Sequence, residues 1–368
     1  MTAGAPDVLI VGAGVVGAAC AWELSRGGLR VSMVEEEVVG SGAPAAGMGH
    51  LVALDGSEHE FALSRFSQEL WAGLLPEMPR EVEHLQCGTL WVAADDEEMG
   101  EVRRKHGYYG AHGVASEMLD AKQLAAAEPE LRVGLAGGLV VPGDSVIYAP
   151  AAAQWLVERS GAAVIRGRVE RLNGRTAWLG DGTRLEAGIV VNATGARAAK
   201  LTAGVPVTPR KGHLAITDRY PGFLRHQLIE LGYMKSAHAG GGESVAFNAQ
   251  PRKTGQVLLG SSRQHGVEDA GVDRMILSRM MKRAVEYLPG IGELQVIRCW
   301  TGCRAATPDG APLIGPWPGE DGLWLATGHE GLGITTAPGT GRLLADLILG
   351  RTPCLVAEPY LPARLCHG

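Results

Sequence analysis

Gly12, Gly14 and Gly17 stand in the spacing G-x-G-x-x-G, and Glu35 closes the next apolar run. That combination binds a dinucleotide. Gly12 permits a sharp turn. Gly14 puts no side chain between the backbone and a pyrophosphate, and Gly17 lets a helix approach a strand. The start of that helix offers free N–H groups and the positive end of its dipole to phosphates. Glu35 can accept hydrogen bonds from ribose hydroxyls, and its charge opposes a 2′-phosphate, which disfavours NADP. The motif serves FAD and NAD alike. Further along, Thr194-Gly195 ends an apolar run and offers a second wall for the same ligand. Arg304, between a strand end and a proline-containing turn, has the side chain that grips a carboxylate bidentately and stays charged at any working pH. Residues 328–334 read GHEGLGI, a glycine-rich turn entering a helix whose N-terminus suits an anion or an electron-rich ring edge.

The elements that must carry these residues follow from apolar periodicity. Val8–Val11 predicts a strand, residues 18–25 a helix stopped by Gly27-Gly28, and residues 31–34 a second strand, which together make one βαβ unit. Residues 39–51, VGSGAPAAGMGHL, form a loop of small residues fit to lie against something flat and bulky, with His50 facing a cavity. Residues 58–75 predict an amphipathic helix that buries Phe61, Leu63, Phe66, Leu70 and Leu74 and ends at Pro76 and Pro79. Residues 95–112 are charged and predict a solvated helix, the Arg103-Arg104-Lys105 group included. Strands are expected at 87–93, 137–141, 163–172, 176–179, 184–186 and 189–193, with helices at 120–128 and 149–159. Residues 207–301 are strand-rich (214–217, 244–247, 257–260, 294–300), are interrupted by a helix at 273–288, and read as an antiparallel sheet in a second domain. A strand at 322–327 and a closing helix at 335–349 end the chain.

Bulk properties narrow the class. A chain of 368 residues holds one to three domains at roughly 150 residues each. The net charge of −6, with both signs interspersed, gives no nucleic-acid surface. Cys20, Cys87, Cys299, Cys303, Cys354 and Cys366 show neither C-x-x-C nor a Cys/His ligand spacing, so free thiols in a reducing cytoplasm are expected and a metal is not. No lysine or arginine precedes the first apolar run, glycines interrupt it, and no run reaches the ~18 apolar residues of a membrane span.

With these pieces assembled, the sequence resembles the D-amino-acid oxidase superfamily of FAD enzymes, and within it the glycine oxidase and sarcosine oxidase group. The likeness spans nearly the whole chain. It is carried by GAGVVG with Glu35, the PAAGM loop, Asn192-Ala193-Thr194-Gly195, RAATPDGAPLIG from Arg304 and GHEGLGITTAPGTGRLLADLI from Gly328. A finer similarity, to bacterial D-hydroxyproline dehydrogenases, rests on AAGMGHL, LQCGTLWVAADDEEM and VAFNAQPRKTGQVLLGSSRQ.

The resemblance implies an α/β (α+β) fold: a glutathione-reductase-like Rossmann domain for FAD interleaved with an antiparallel-sheet substrate domain. Residues 1–85, 142–206 and 302–368 would form the first, and 86–141 and 207–301 the second. It also implies roles. Val15 and Val16 would lie at the pyrophosphate and Glu35 and Glu36 at the adenosine ribose. Ser41, Gly42, Ala46, Gly47 and Met48 would pass along the flavin, and Val169 would meet the adenine. His329, Gly331, Leu332, Gly333, Ile334 and Thr335 would bring the last helix to the flavin pyrimidine edge. Arg304 matches the arginine that holds the substrate carboxylate.

Two departures stand out: Asn248 replaces a substrate-binding tyrosine and Gly331 a second arginine, so plain glycine oxidation is not implied. Cys303 sits one residue from the position of a covalent flavin link, beside Gly302, so non-covalent FAD is expected. The implied reaction is hydride transfer from Cα of a cyclic or secondary D-amino acid, foremost cis-4-hydroxy-D-proline, to flavin N5. Asn248, His50 and Glu330 are the candidate partners of the ring hydroxyl. The electron acceptor would be a quinone, a dye or oxygen. The chain would be cytoplasmic or peripheral at the inner membrane, alone or in a homo- or hetero-oligomer. Three rivals remain: a peroxide-forming oxidase of glycine, sarcosine or another D-amino acid, the FAD-bearing subunit of a larger dehydrogenase, and a plain NAD-binding dehydrogenase, which would be colourless.

Overall fold

The computed structural model describes residues 5–232 and 243–365; Cys366 lies outside the described residues. Val8–Val11 is buried at every position and pairs in parallel with Val31–Glu35 on one side and Ile189–Asn192 on the other. A strand buried on both faces needs a continuous apolar run, and this one has it. The resulting six-stranded sheet adds Ala163–Arg166 at one edge and Leu323–Thr327 and Leu313–Pro316 at the other. Helix Val15–Arg26 packs on it beside helices Ala149–Ser160 and Gly333–Ile348. The first and last helices approach closely because Gly341 presents no side chain: a Cβ there would lie 2.5 Å from the Ala19 carbonyl oxygen.

The second sheet has eight strands, ordered Val296–Ala306, Thr208–Arg219, Gln256–His265, Ser244–Pro251, Gln227–Glu230, Thr89–Ala93, Gly137–Val141 and Glu117–Asp120. One face carries Ala215, Phe247, Ala249 and Leu259 against helix Arg274–Tyr287, where Phe247 and Tyr287 stack with centroids 4.6 Å apart. The other face carries Leu214, Leu258 and Trp300 against Met48, which belongs to the small-residue loop. The mixed α/β class is as expected, and strands of the two sheets alternate along the chain.

Several elements differ from expectation for identifiable reasons. Helix Glu58–Leu74 forms, but it buries Phe61, Leu63, Ser64, Ser67 and Trp71, while Phe66, Leu70 and Leu74 stay part-exposed. Its buried stripe is set by contact with the last helix. The Ser67 hydroxyl accepts from the Gly339 N–H at 3.2 Å, and the Trp71 indole donates to the Thr335 carbonyl at 2.9 Å. Helix Asp96–Ala111 is not wholly solvated: Val102, Lys105 and Tyr109 are fully buried, and Lys105 is neutralised by Asp55 and lies over the Trp91 ring. The run 163–172 splits at Gly167. Ala163–Arg166 joins the parallel sheet, whereas Val169–Asn173 joins a three-stranded antiparallel one. The last long strand extends to Ala306, so Arg304 lies within a strand rather than beyond its end.

Candidate active site

The glycine turn has the geometry a pyrophosphate needs. Gly12 has φ +101°, and a Cβ there would sit 2.7 Å from the Ala193 carbonyl oxygen. A Cβ on Gly17 would sit 2.1 Å from the Gly12 oxygen, so only glycine lets the helix start this close to the strand. Gly14 caps helix Val15–Arg26 without any side-chain hydrogen bond, leaving the first-turn N–H groups, Val15 and Val16 among them, directed at this turn. The Glu35 carboxylate is fixed by the N–H of Ala13 at 2.7 Å and of Glu37 at 3.0 Å. Glu36 pairs with Arg168 and Arg197. Val169 is buried nearby with Val11 and Val34. Thr194 donates its hydroxyl to Asn192, and Gly195 takes a positive φ that turns the chain away from the strand end. Open N–H groups, an acidic ribose partner and a wall at Ala193-Thr194 fit a bound dinucleotide.

The loop 41–48 runs from this cradle to the second sheet. Ser41 and Gly42 lie at the start of the loop's turns, which link Ser41 N–H to Val38, Ala45 to Gly42 and Ala46 to Ala43. A Cβ on Gly302 would be 2.3 Å from the Ala46 Cβ, and one on Gly47 would be 2.9 Å from Ile334. The loop is therefore pressed between the sheet and the start of the last helix. Leu332 caps that helix with no side-chain bond, so the N–H groups of Gly333 and its neighbours are uncapped by side chains. Thr335 donates to the His50 carbonyl at 2.8 Å. His329 is buried and bonded to Thr340 at 2.9 Å, and burial pushes its imidazole down to about 3. It anchors the helix rather than offering a charge.

Strand register gathers the remaining residues. Arg210 pairs with Arg304, Leu214 with Trp300, and Asn248 with Gly260, which puts Arg304, Asn248, Gln250 and Met48 on one side of the sheet. The Arg304 guanidinium lies over Gly212, where a Cβ would be 2.5 Å from Nη1, and donates to the Ser262 carbonyl at 3.0 Å. Asn248 Oδ1 is buried with no hydrogen-bond partner among the described residues, and Gln250 Oε1 and His50 Nε2 make no well-formed bond, although the Gln250 side chain lies close enough to act on the His50 imidazole. Buried polar atoms left unpaired in a protein are costly, and a cluster of them marks where a ligand completes the bonding. Burial pushes the His50 imidazole down to about 4; Gln250 partly opposes this, and the Arg304 charge adds to it. His50 is therefore neutral at pH 7. Glu330 has φ +47°, is held by its N–H to the Ala305 carbonyl at 2.7 Å, and pairs with Arg210 and, at 3.7 Å, with Arg263. Gly331 lies beside it, and a Cβ there would come no closer than 3.8 Å to Arg304. Cys303 points the other way, toward the carbonyls of Val267 and Glu268.

Gly212, Gln250, Arg210 and Arg263 were not singled out by sequence reasoning. The available signal was alternation along residues 208–219 and 256–265, but the pairing that places them beside Arg304 is a tertiary property.

A family model described as DAO, FAD dependent oxidoreductase, matches residues 7–347. A glycine oxidase of Pseudomonas aeruginosa is 31% identical, covering 97% of this chain and 98% of its own. A D-amino acid dehydrogenase of Methylobacterium nodulans is 32% identical, covering 82% of this chain and 73% of its own. The crystal structure of a glycine oxidase from Geobacillus kaustophilus superposes with a TM-score of 0.88 at 29% identity, covering 99% of both chains.

Proposed function

We propose that this chain, which belongs to the DAO family of FAD-dependent oxidoreductases, oxidises a cyclic or secondary D-amino acid, foremost cis-4-hydroxy-D-proline, to its imine. FAD, when bound, supplies the acceptor for the electron pair that leaves Cα as hydride. The observation that carries the reading is the seat of Arg304: a guanidinium laid over Gly212, on the side of the sheet that bears Asn248 and Gln250. It takes the α-carboxylate and so fixes where Cα stands. His50, kept neutral by burial, adds no second cation beside the substrate amine. As the Cα–H pair departs, the nitrogen lone pair closes the C=N bond and the N–H proton passes to solvent, so no protein base at Cα is required. For hydroxyproline the product is a pyrroline hydroxycarboxylate. Asn248, His50 and Glu330 are the polar groups available to the ring hydroxyl, and a site built around it discriminates against proline.

Cys303 directs its thiol away from Arg304, which supports non-covalent FAD. The domain division is proposed as residues 1–85, 142–206 and 302–368 serving FAD and 86–141 and 207–301 serving the substrate, with strand Val296–Ala306 of the eight-stranded sheet crossing the boundary. A peroxide-forming oxidation of glycine or sarcosine is the second reading, favoured by the glycine oxidase likeness. Among the described residues, no helix is long and apolar enough to cross a membrane.

Anaerobic flavin bleaching separates these readings. The purified protein is mixed in turn with cis-4-hydroxy-D-proline, D-proline, sarcosine and glycine. Fastest bleaching by the hydroxylated ring is expected. Bleaching by glycine or sarcosine alone, with stoichiometric peroxide in air, establishes the second reading instead.

A further inference from the structure

Beside Arg304 the sheet carries two more guanidinium groups. Arg210 is its direct cross-strand neighbour, and His265 is the neighbour of Arg210 on the other side. Arg263 shares the strand and the side of His265, two residues away. Both arginines reach one carboxylate, Glu330, contributed by the loop before the last helix. Their side chains are largely covered, at 21% and 15% exposure, and Glu330 is similarly covered at 22%. Arg210 Nε is buried and makes no hydrogen bond among the described residues. Glu330 takes a left-handed backbone conformation that non-glycine residues adopt at a cost and that clusters at functional sites.

The chemistry of this cluster is specific. It presents a carboxylate acceptor and guanidinium donors side by side, next to the arginine that takes the α-carboxylate. A second carboxylate on the substrate would face Glu330 charge to charge. A purely apolar ring would bring no hydrogen-bond partner to Arg210 Nε, which is buried without one among the described residues. A hydroxyl, which donates one hydrogen bond and accepts others, complements both halves. We propose that Arg210, Arg263 and Glu330 form a hydroxyl-reading subsite: Glu330 accepts the O–H of a ring-hydroxylated amino acid, and an arginine donates to its oxygen. The inference rests on the hydroxyproline reading above and deepens it, because it moves hydroxyl recognition from Asn248 and His50 to this cluster.

The test compares kcat/KM for cis-4-hydroxy-D-proline and D-proline in the FAD-loaded protein and in Arg263→Met, Arg210→Met and Glu330→Gln, each first checked for native circular dichroism and flavin content. The wild type should prefer the hydroxylated ring. In Arg263→Met and Arg210→Met that preference should fall at least about 10-fold, mainly through the KM for hydroxyproline. Arg263→Lys, which keeps a cationic donor, should recover part of it. Should the wild type prefer hydroxyproline while the variants lower both substrates equally, the cluster is a structural ion pair; the subsite is then overturned and the hydroxyproline reading stands. A wild type that does not discriminate, or that oxidises neither ring, overturns the hydroxyproline reading and the subsite with it.

Discussion

Arg304, His50 and His329 concentrate the testable chemistry at the scale of single residues. Hydrogen bonds to charged groups contribute about 1.5–3 kcal/mol, so Arg304→Met should raise KM for the amino acid by about 10- to 100-fold. Steady-state kinetics with the FAD-loaded variant decides this, and an unchanged KM would remove Arg304 from carboxylate binding. The histidines make a pH prediction. The folded values of His50 and His329, about 4 and about 3, lie below the ordinary 6.5. Below pH 6.5 the unfolded chain binds protons that the folded chain refuses, so stability is fully present above 6.5 and is lost as pH falls toward the folded values. At pH 5, His329 alone should have cost about 2 kcal/mol. Urea unfolding of wild type and His329→Gln at pH 7 and pH 5 checks it: the variant should lose less stability on acidification. Equal losses would show that His329 does not carry this term.

Whole elements are held by close approaches that small side chains permit. Helix Glu58–Leu74 and helix Gly333–Ile348 touch where a Cβ on Gly339 would meet Ser67 Oγ at 2.3 Å. Gly339→Ala should therefore destabilise the protein by about 1–3 kcal/mol, read as a lower urea midpoint with an unchanged slope. A neutral result would mean that the helices can part without cost. This contact also shows what the sequence could and could not reveal. The 3.6-residue period made both helices legible, and Gly12, Gly14, Gly17 and Glu35 made the nucleotide turn legible, because local spacing carries local geometry. The buried face of helix Glu58–Leu74 was legible only at Phe61 and Leu63, since Ser64 and Ser67 are polar by type yet buried by their partner. Lys105 was misread for the same reason: Asp55, its neutralising partner, is 50 residues away. Strand interiors were visible and registers were not, so Arg304 was singled out by its motif while Arg210, Arg263 and Gly212, which the registers place beside it, were not.

On the scale of the whole molecule, the site lies where the nucleotide-binding part and the eight-stranded sheet meet, along loop 41–48 and at the Ala305–Glu330 bridge. Gln250 donates to the Met48 carbonyl, Met48 packs on Leu214 and Leu258, and Ala46 sits on Gly302. The last contact is the tightest, with 2.3 Å between the Ala46 Cβ and the position of a Cβ on Gly302. Close-packed interiors do not absorb such an overlap by compression, so in Gly302→Ala either the loop lifts or the strand shifts. Because that loop lies between the sheet and the uncapped helix start at Leu332, lifting it should open the flavin side before it unfolds either part. Gly302→Ala should thus purify with native circular dichroism but a reduced ratio of flavin to protein absorbance. Ala46→Gly removes the colliding methyl, and in the double variant the flavin content should return toward that of wild type, as expected for two residues in direct contact. Full flavin in Gly302→Ala would show that the loop is not seated on Gly302. Loss without recovery in the double variant would place the damage in the strand, and so in the seat of Arg304 two residues on.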